Sequence, residues 1–450
     1  MTDNERTANE GIIKDLEEKG VRFVYLQFSD ILGVVKSVTI PIEELADSIE
    51  HGKWFDGSSV EGFVRVLESD MYLKPDLSTI TLLPWEQDGE PAARVVGSVL
   101  TPEGKLFPGD SRTVLIKATE AAAALDYRFY VAPELEFYLF SPKENGQVVP
   151  LTQDQGGYFD LSTGLSASIR KEMVHVLREM SVRVETSHHE LGAGQHEIDF
   201  APEDALKNAD SIITARYTIK AIAQRHGLSV TFMPKPFEKL EGSGLHVPMS
   251  LMNISTGKNA FSDAKDEYGL SETARYFLAG LLYHARGMCA ILNPLVNSYK
   301  RLVRGFEAPV YITWARVNRS ALIRVPKVNP QKLNTTRLEI RNPDPSCNPY
   351  LGYTTMLACG LHGIKEKLSL PPPVEENLFT FDEEELRRRQ IVSLPETLGE
   401  ALDELQKDTV IREALGDMLF SKFLDAKRRE WREYCQHVTP WERDNYLGVW

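Results

Sequence analysis

The sequence predicts an α+β fold, with a small strand-rich N-terminal part and a larger part that mixes strands with long helices. Short β-rich runs separated by turns fill the first hundred residues, and a cluster of turn residues, Pro108, Gly109, Asp110 and Ser111, closes them. Beyond it, strand-like and helix-like runs alternate to the end of the chain. These observations place two domains at 1–108 and 109–450.

The elements follow in order. Val21 to Phe28 (VRFVYLQF) and Val34 to Ile40 (VVKSVTI) are strands joined by the hairpin-like link SDILG. Thr79 to Leu83 and Arg94 to Leu100 continue the pattern. TVLIKATEAAAAL opens a helix with Asp110 or Ser111 as its N-cap. Tyr130 to Phe140 is a strand, and Pro202 to His226 is a helix closed by Gly227. Thr273 to Ala290 is an apolar helix. After the break at Pro371, Pro372 and Pro373, the charge run DEEELRRR reads as a solvated helix face. Two closing helices fit Leu394 to Leu405 and Val410 to Glu433.

Composition narrows the function. With 51 Lys and Arg against 65 Asp and Glu, the net charge of −14 gives no basic patch for nucleic acid. The same excess supplies carboxylates, which hard cations favour. The four cysteines, Cys289, Cys347, Cys359 and Cys435, form no CxxC pair, so neither structural zinc nor a disulfide framework is expected. The opening MTDNERTANEG is not a signal peptide, and no run approaches the roughly 20 apolar residues of a membrane span. The chain reads as cytoplasmic, with no membrane partner.

Chemistry concentrates where polar residues recur at period two, because alternate side chains of a strand share a face. In PELEFYLF, Glu134 and Glu136 project together, opposite Leu135 and Phe137. In GQHEIDF, Gln195, Glu197 and Asp199 oppose His196, Ile198 and Phe200. His246, Pro248 and Ser250 share a face in GLHVPMSL, and Arg337, Glu339 and Arg341 share one in RLEIR. Several Glu oxygens with one imidazole suit Mg²⁺ or Mn²⁺. Any one segment alone reads as the solvent face of a half-buried strand. Four of them, with Glu190 in SHHELG, favour a metal site. Lys300, Arg301, Arg319, Arg324, Arg337 and Arg341 add cations suited to carboxylate and phosphate, although for any single one a salt bridge is the simpler reading. The loop Glu241, Gly242, Ser243, Gly244 permits close backbone approach to a ligand and is not a Walker loop.

At this point the chain resembles the type I glutamine synthetases over nearly its whole length. WFDGSSVEGF, PELEFYLF, GGYF, SHHELGAGQHEIDF, PKPFEKLEGSGLH, NSYKRL, EAPVY, NRSALIR, RLEIRNPDPSCNPYL and HVTPWERDNYL occur in the family's order. The resemblance implies an N-terminal β-grasp domain and a catalytic domain whose curved antiparallel sheet forms an incomplete barrel with outer helices. It also implies a homo-oligomer, a dodecamer of two stacked six-membered rings with active sites between subunits. Glutamate, ammonia and ATP would be the substrates, joined through a γ-glutamyl phosphate with Mg²⁺ or Mn²⁺ as cofactor.

Carried over by position, the metal ligands would be Glu134, Glu136, Glu190, Glu197, His246 and Glu339. Asp56 of a neighbouring subunit, Tyr158 and Glu190 would hold ammonium, with Asp56 taking its proton. Glu307 would be the flap carboxylate that closes the site. Gly242, Arg301, Arg319 and Arg341 would contact glutamate or the transferred phosphate. Glu185, Ser250, Arg319, Arg324 and Arg337 would face the nucleotide.

Two positions depart from the family pattern. Glu241 stands where an Asn is usual, and Pro248 where His or Asn is usual near the adenine. The family also includes ligases that join glutamate to larger amines, and an inactive homologue is a further alternative. Asp56, Tyr158, Glu190 and Glu307 favour ammonia, and the complete ligand set argues against an inactive chain. Phe379, after Asn377 and Leu378, replaces the tyrosine that some members adenylylate, so no control of that kind is expected. Arg65 resembles an arginine linked to glutamine feedback, and a small regulatory protein is a possible partner.

Overall fold

The computed structural model describes residues 3–60, 70–85, 90–142, 148–151, 153–158, 160–161, 164–304, 308–318, 320–329 and 332–450. Strands β1 (Phe23–Ser29), β2 (Val35–Pro41), β3 (Lys53–Asp56), β4 (Asp70–Pro75), β5 (Thr81–Leu82) and β6 (Ala92–Leu100) form one sheet. Its order is β2-β1-β6-β4-β3, with β5 also on β6. β1 and β6 are parallel, and the other pairs are antiparallel. Val24, Leu26 and Phe28 alternate inward along β1 and meet Leu73, Val95 and Val99 in a small core. Leu16, Leu45 and Ile49 from two helices, Asp3–Glu18 and Leu45–His51, complete it. The sequence reading, strands and turns for this part, missed both helices. Only Ile12, Ile13 and Leu16 mark the apolar stripe of the first, too few to stand out from its charged neighbours.

Among the described residues the larger sheet holds eleven strands. They are β7 (Tyr127–Val131), β8 (Glu134–Pro142), β9 (Val148–Pro150), β10 (Val184–His189), β11 (Gln195–Phe200), β12 (Glu203–Asp204), β13 (Ser229–Thr231), β14 (Leu245–Asn253), β15 (Tyr311–Ala315), β16 (Ala321–Arg324) and β17 (Leu338–Ile340). The main path runs β10-β11-β8-β14-β17-β16-β15. All its pairs are antiparallel except β15 with β16, which run parallel. Strand β14 pairs with β8 through Leu245 and His246, then with β7 from Met249 onward, so the sheet turns a corner there. Leu135, Phe137, Ile198, Phe200, Leu245, Val247, Leu338 and Ile340 lie in one core with residues of the outer helices.

Helix ends follow local chemistry. Asp110 is the cap of the helix Ser111–Ala123, accepting from the backbone of Arg112 and Thr113. Asp204 caps Ala205–Arg225, and Gly227 follows it with φ +68°. The segment read as one helix from Thr273 to Ala290 is two, Glu272–Tyr283 and Ala285–Leu292, meeting at His284. The last pair becomes three helices, Leu398–Lys407, Thr409–Leu415 and Asp417–Cys435. Gly416, at φ +75°, makes the second break. Among the described residues no helix is long and apolar enough to cross a membrane.

The two cores are joined at Arg112. Its guanidinium reaches Asp210 at 3.0 Å, Asp76 at 2.7 Å and Ser98 at 3.4 Å. Tyr350 donates to the same Asp210 at 2.6 Å. Burial would lower the Arg112 pKa, but the charge of Asp210 and the contacts with Asp76 hold it above the usual value. Nearby, the β1–β2 turn docks on the helix Pro349–Glu366, where Asn348 donates to the carbonyls of Asp30 and Ile31. Removing one partner of a buried ion pair leaves the others uncompensated, at a cost of about 3–5 kcal/mol. Arg112→Ala should therefore lower the unfolding free energy by that order, read as a lower urea midpoint, while the exposed pair variant Arg6→Ala (Arg6 bonds Glu50) leaves it nearly unchanged. Equal, small shifts for both would show that Arg112 does not join the cores.

Candidate functional site

Strand register gathers the polar faces. Glu197 lies opposite Glu136, Asp199 opposite Glu134, and His246 on the other side of Glu134. Glu339 of β17 follows across β14, opposite Pro248. Of these, Glu134, Glu136, Glu197, His246 and Glu339 line a cavity of about 540 Å³, joined by Glu190 from the turn after β10. Thus Glu134, Glu136, Glu190, Glu197, His246 and Glu339 all meet in one place. Ligand atoms of Glu134, His246 and Glu339 lie within 4.8 Å of one another, as do those of His188, Glu197 and Asp199.

Hydrogen bonds fix this wall from behind. Glu136 accepts from Gln195 Nε2 at 3.1 Å and from the Gly244 backbone at 2.9 Å. Gln195 also donates to the Gly242 carbonyl at 3.0 Å and accepts from Gly192 N–H. Tyr138 donates to the Glu241 carbonyl at 2.8 Å. Burial and then the charge of Asp199 raise Glu134 to about 7. Burial followed by Glu136 raises Glu197 as well. Burial, with Arg341 next, lowers His246 to about 4 and keeps its imidazole neutral.

Cations line the cavity together with the carboxylates. Arg301, Arg316, Arg324, Lys327, Arg341 and Lys235 line the same cavity. Arg324 and Arg341 flank Glu339, at 3.1 and 3.3 Å. Arg301 is 6% exposed and donates to the carbonyls of Asn342, Pro343 and Arg341. Among the described residues it has no carboxylate at ion-pair distance, so it is a buried cation held by dipoles. Gly242 and Gly244 let the loop pass against it. A Cβ on Gly242 would stand 2.7 Å from Arg301 Cγ, and one on Gly244 would stand 2.6 Å from Arg301 Nη2 and 3.0 Å from His246 Nε2.

The donor set fits divalent cations. Carboxylate oxygens and one neutral imidazole converge, with Glu134 and Glu197 raised in pKa by burial and by neighbouring carboxylates, which is the environment a bound positive charge relieves.

Other expected residues lie elsewhere. Asp56 is exposed at the end of edge strand β3, accepts from Ser58 N–H at 2.9 Å, and does not line this cavity. Glu185 is exposed on β10 beside a separate hollow with Arg178 and Arg183. Ser250 lies on β14 opposite Tyr130, beyond the cavity lining. Arg337 also stands outside the lining, although its charge acts on Glu134. Glu307, Arg319 and Arg65 fall outside the described residues.

Sequence reasoning missed His188, Lys235, Arg316 and Lys327. His188 stands opposite Glu197, with Nδ1 3.4 Å from Glu190. Its position two residues before Glu190 was a usable period-two signal. The three cations lie off the period-two strand faces, where no periodicity marks them. Arg316 is held by stacking over Tyr268, 4.5 Å from the ring centre, and by donating to the Glu267 carbonyl.

Comparison with known proteins decides the family. Residues 20–102 match the model described as glutamine synthetase, beta-Grasp domain, and residues 108–446 match glutamine synthetase, catalytic domain. The chain belongs to the glutamine synthetase family. It is 48% identical to the glutamine synthetase of Thermotoga maritima, across 97% of this chain and 99% of the relative. The glutamine synthetase of Clostridium saccharobutylicum is 47% identical, with 98% and 99% covered. That of Halobacterium salinarum is 46% identical, with 99% and 97% covered. A solved structure described as GmaS/ADP complex superposes with a TM-score of 0.88 at 32% identity, across 97% of this chain and 99% of that one. The N-terminal sheet is therefore a β-grasp domain, and the larger sheet is the barrel-like catalytic sheet expected of the family.

The glycine geometry is testable. Gly244→Ala should displace Arg301 and His246 together and lower kcat/KM for the amino-acid substrate at least about tenfold, roughly 1.4 kcal/mol. Unchanged kinetics would mean that Arg301 and His246 yield without consequence.

Proposed function

We propose that the chain is a glutamate–ammonia ligase that joins ammonia to L-glutamate at the expense of ATP, giving L-glutamine, ADP and phosphate. The observation that carries this is one cavity lined by both carboxylates and cations, in a chain of this family. Such a lining suits a phosphoryl transfer, in which cations neutralise developing negative charge. The alternative ligation of larger amines is not favoured, since relatives at 44–48% identity over nearly the whole chain are glutamine synthetases.

In this reading Glu134, Glu136, Glu190, Glu197, His246 and Glu339 hold divalent cations, Mg²⁺ or Mn²⁺. When bound, those ions supply charge stabilisation to ATP phosphates and substrate. Arg301 and Gly242 hold glutamate. Arg319 and Arg341 serve the glutamate side chain or the transferred phosphate, and Glu185, Ser250, Arg319, Arg324 and Arg337 serve the nucleotide. The side-chain carboxylate of glutamate attacks the γ-phosphate, and ADP leaves. Tyr158, Glu190 and Asp56 hold ammonium, and Asp56 accepts its proton, because only neutral ammonia has a lone pair. Ammonia then attacks the acyl carbon, and phosphate leaves. Glu307 closes the site against water during the acyl phosphate's lifetime.

Asp56 comes from a neighbouring subunit in this reading, consistent with its place on an exposed edge away from the cavity. The assembly is a homo-oligomer, a dodecamer of two six-membered rings, acting in the cytoplasm. The domains divide at 1–108 and 109–450, and Arg65 is assigned to glutamine feedback, with a small regulatory protein as a further partner. Phe379 carries no hydroxyl, so adenylylation at this position is chemically excluded.

Phosphate release from ATP with Mg²⁺ and glutamate should depend on ammonium, with one glutamine formed per phosphate. An inert ammonium, with turnover driven by a larger amine, would overturn the reading. Glu134→Gln should cut turnover at least about 100-fold, beyond the loss typical of residues that only support a ligand. Lys327→Ala should raise the KM for ATP several-fold with little change in kcat, the pattern of lost uniform binding. A kcat effect equal to the kcat/KM effect would instead place Lys327 in the transition state.

A further inference from the structure

Behind the carboxylate wall lies a second, buried cluster. Asp154, His189 and His196 bring one oxygen and two nitrogens together: Asp154 Oδ2 stands 3.0 Å from His196 Nε2 and 3.5 Å from His189 Nε2. Both imidazoles are buried, at 1% and 0% exposure. This spacing would suit a metal ion, but Arg170 decides otherwise. Its Nη1 lies 2.7 Å from His196 Nδ1. A guanidinium only donates, so Nδ1 accepts and the imidazole proton sits on Nε2, facing Asp154. That nitrogen has no lone pair left for an ion. The cluster is a buried polar tie, in which Asp154 Oδ2 stands against both imidazoles without an aligned hydrogen bond.

Its geometry connects to the cavity at alternate residues of one short segment. Asp154 meets His189 and His196, while Gly156 packs on the His189 ring, where an added Cβ would be 3.1 Å from Cγ. Tyr158 lies on the His188 ring, with centroids 4.8 Å apart. The chain is also tied at Asp154 by its carbonyl, which accepts from Gly194 N–H at 3.1 Å. On the other side, His189 Nδ1 faces the Glu190 carbonyl at 2.5 Å. Burial would raise the Asp154 carboxyl, but contacts with His189, His196 and Ser166 hold it well below the usual range. Asp154 thus joins the segment carrying Tyr158, strand β10 that leads into Glu190, the strand carrying Glu197, and the helix Leu165–Glu179 carrying Arg170.

We propose that Asp154 is a positioning residue that, through His189 and His196, fixes Tyr158 beside Glu190 and so sets the affinity for ammonium. The proposal rests on the ammonium reading of Tyr158 and Glu190 given above, and its test separates the two. In the full-length enzyme, KM values for ammonium, glutamate and ATP are measured for Tyr158→Phe, Asp154→Asn and Gly156→Ala. Tyr158→Phe should raise the ammonium KM; if it does not, the ammonium reading falls and this proposal with it. Given that rise, Asp154→Asn should raise the ammonium KM about tenfold, with glutamate and ATP values within about twofold. Asp154→Glu should restore part of the loss. Gly156→Ala, which crowds His189 without removing charge, should raise the ammonium KM in the same selective way, and it decides the matter if Asp154→Asn does not fold. The proposal is overturned if Tyr158→Phe acts on ammonium while neither other variant does. It is equally overturned if all three KM values move together, as a general loss of structure would make them.

Discussion

The constraint on which this structure depends is the meeting of like charges on adjacent strands. Neighbouring strands are about 4.8 Å apart, and the register sets Glu197 against Glu136 and Asp199 against Glu134. Like charges directly opposite are destabilising, and partial burial strengthens the repulsion above the roughly 1 kcal/mol expected in bulk water. The offset lies on the reverse face. Leu135, Phe137, Ile198, Phe200 and Val247 are 0–2% exposed in the large core. A slip of one residue would send those groups outward and the carboxylates into the core. The apolar face therefore enforces the polar one.

Repelling groups must also be prevented from turning away. Gln195 does this for Glu136, because its amide reaches both the carboxylate and the Gly242 carbonyl while its oxygen takes the Gly192 N–H. The same bonds tie the Glu241–Gly244 loop to β8. Arg301 is the counterpart among the cations, oriented by backbone carbonyls rather than by a carboxylate. A charge held this way keeps its attraction for an incoming anion, since no ion pair must first be broken.

Much of this was legible in the sequence for a physical reason. Strand faces have period two, so Glu134 with Glu136, Gln195 with Glu197 and Asp199, and His246 with Ser250 could be assigned to shared faces before any fold was known. Local chemistry also placed a cap at Asp110 or Ser111, since a short polar side chain before an apolar run caps free N–H groups, and the structure gives that role to Asp110. Convergence was not legible. Nothing local says that β8 lies between β11 and β14, or that Ser250 falls beyond the cavity while His246 lines it. Helix breaks at His284 and Gly416 were hidden because apolar periodicity continues on both sides. Arg316 and Lys327 had no periodic context, and cations of that kind are distinguished from surface charge only by what surrounds them.

The two departures from the family pattern are resolved differently by the backbone. Proline inside a strand removes a ladder donor and is ordinarily confined to edges or bulges. Pro248 sits where β14 leaves β8 and joins β7, a junction where the regular ladder is already interrupted. Its carbonyl still accepts from Ala132 N–H at 2.9 Å. The ring therefore occupies the position in the strand that needs a donor least. Glu241 keeps its structural duty in its carbonyl, which Tyr138 holds, so the loop is built independently of the side chain at that position. Its carboxylate is left to line the cavity with Lys235, Gly242 and Arg301. A change of residue type at 241 thus alters the chemistry of the cavity wall without altering how the loop is held.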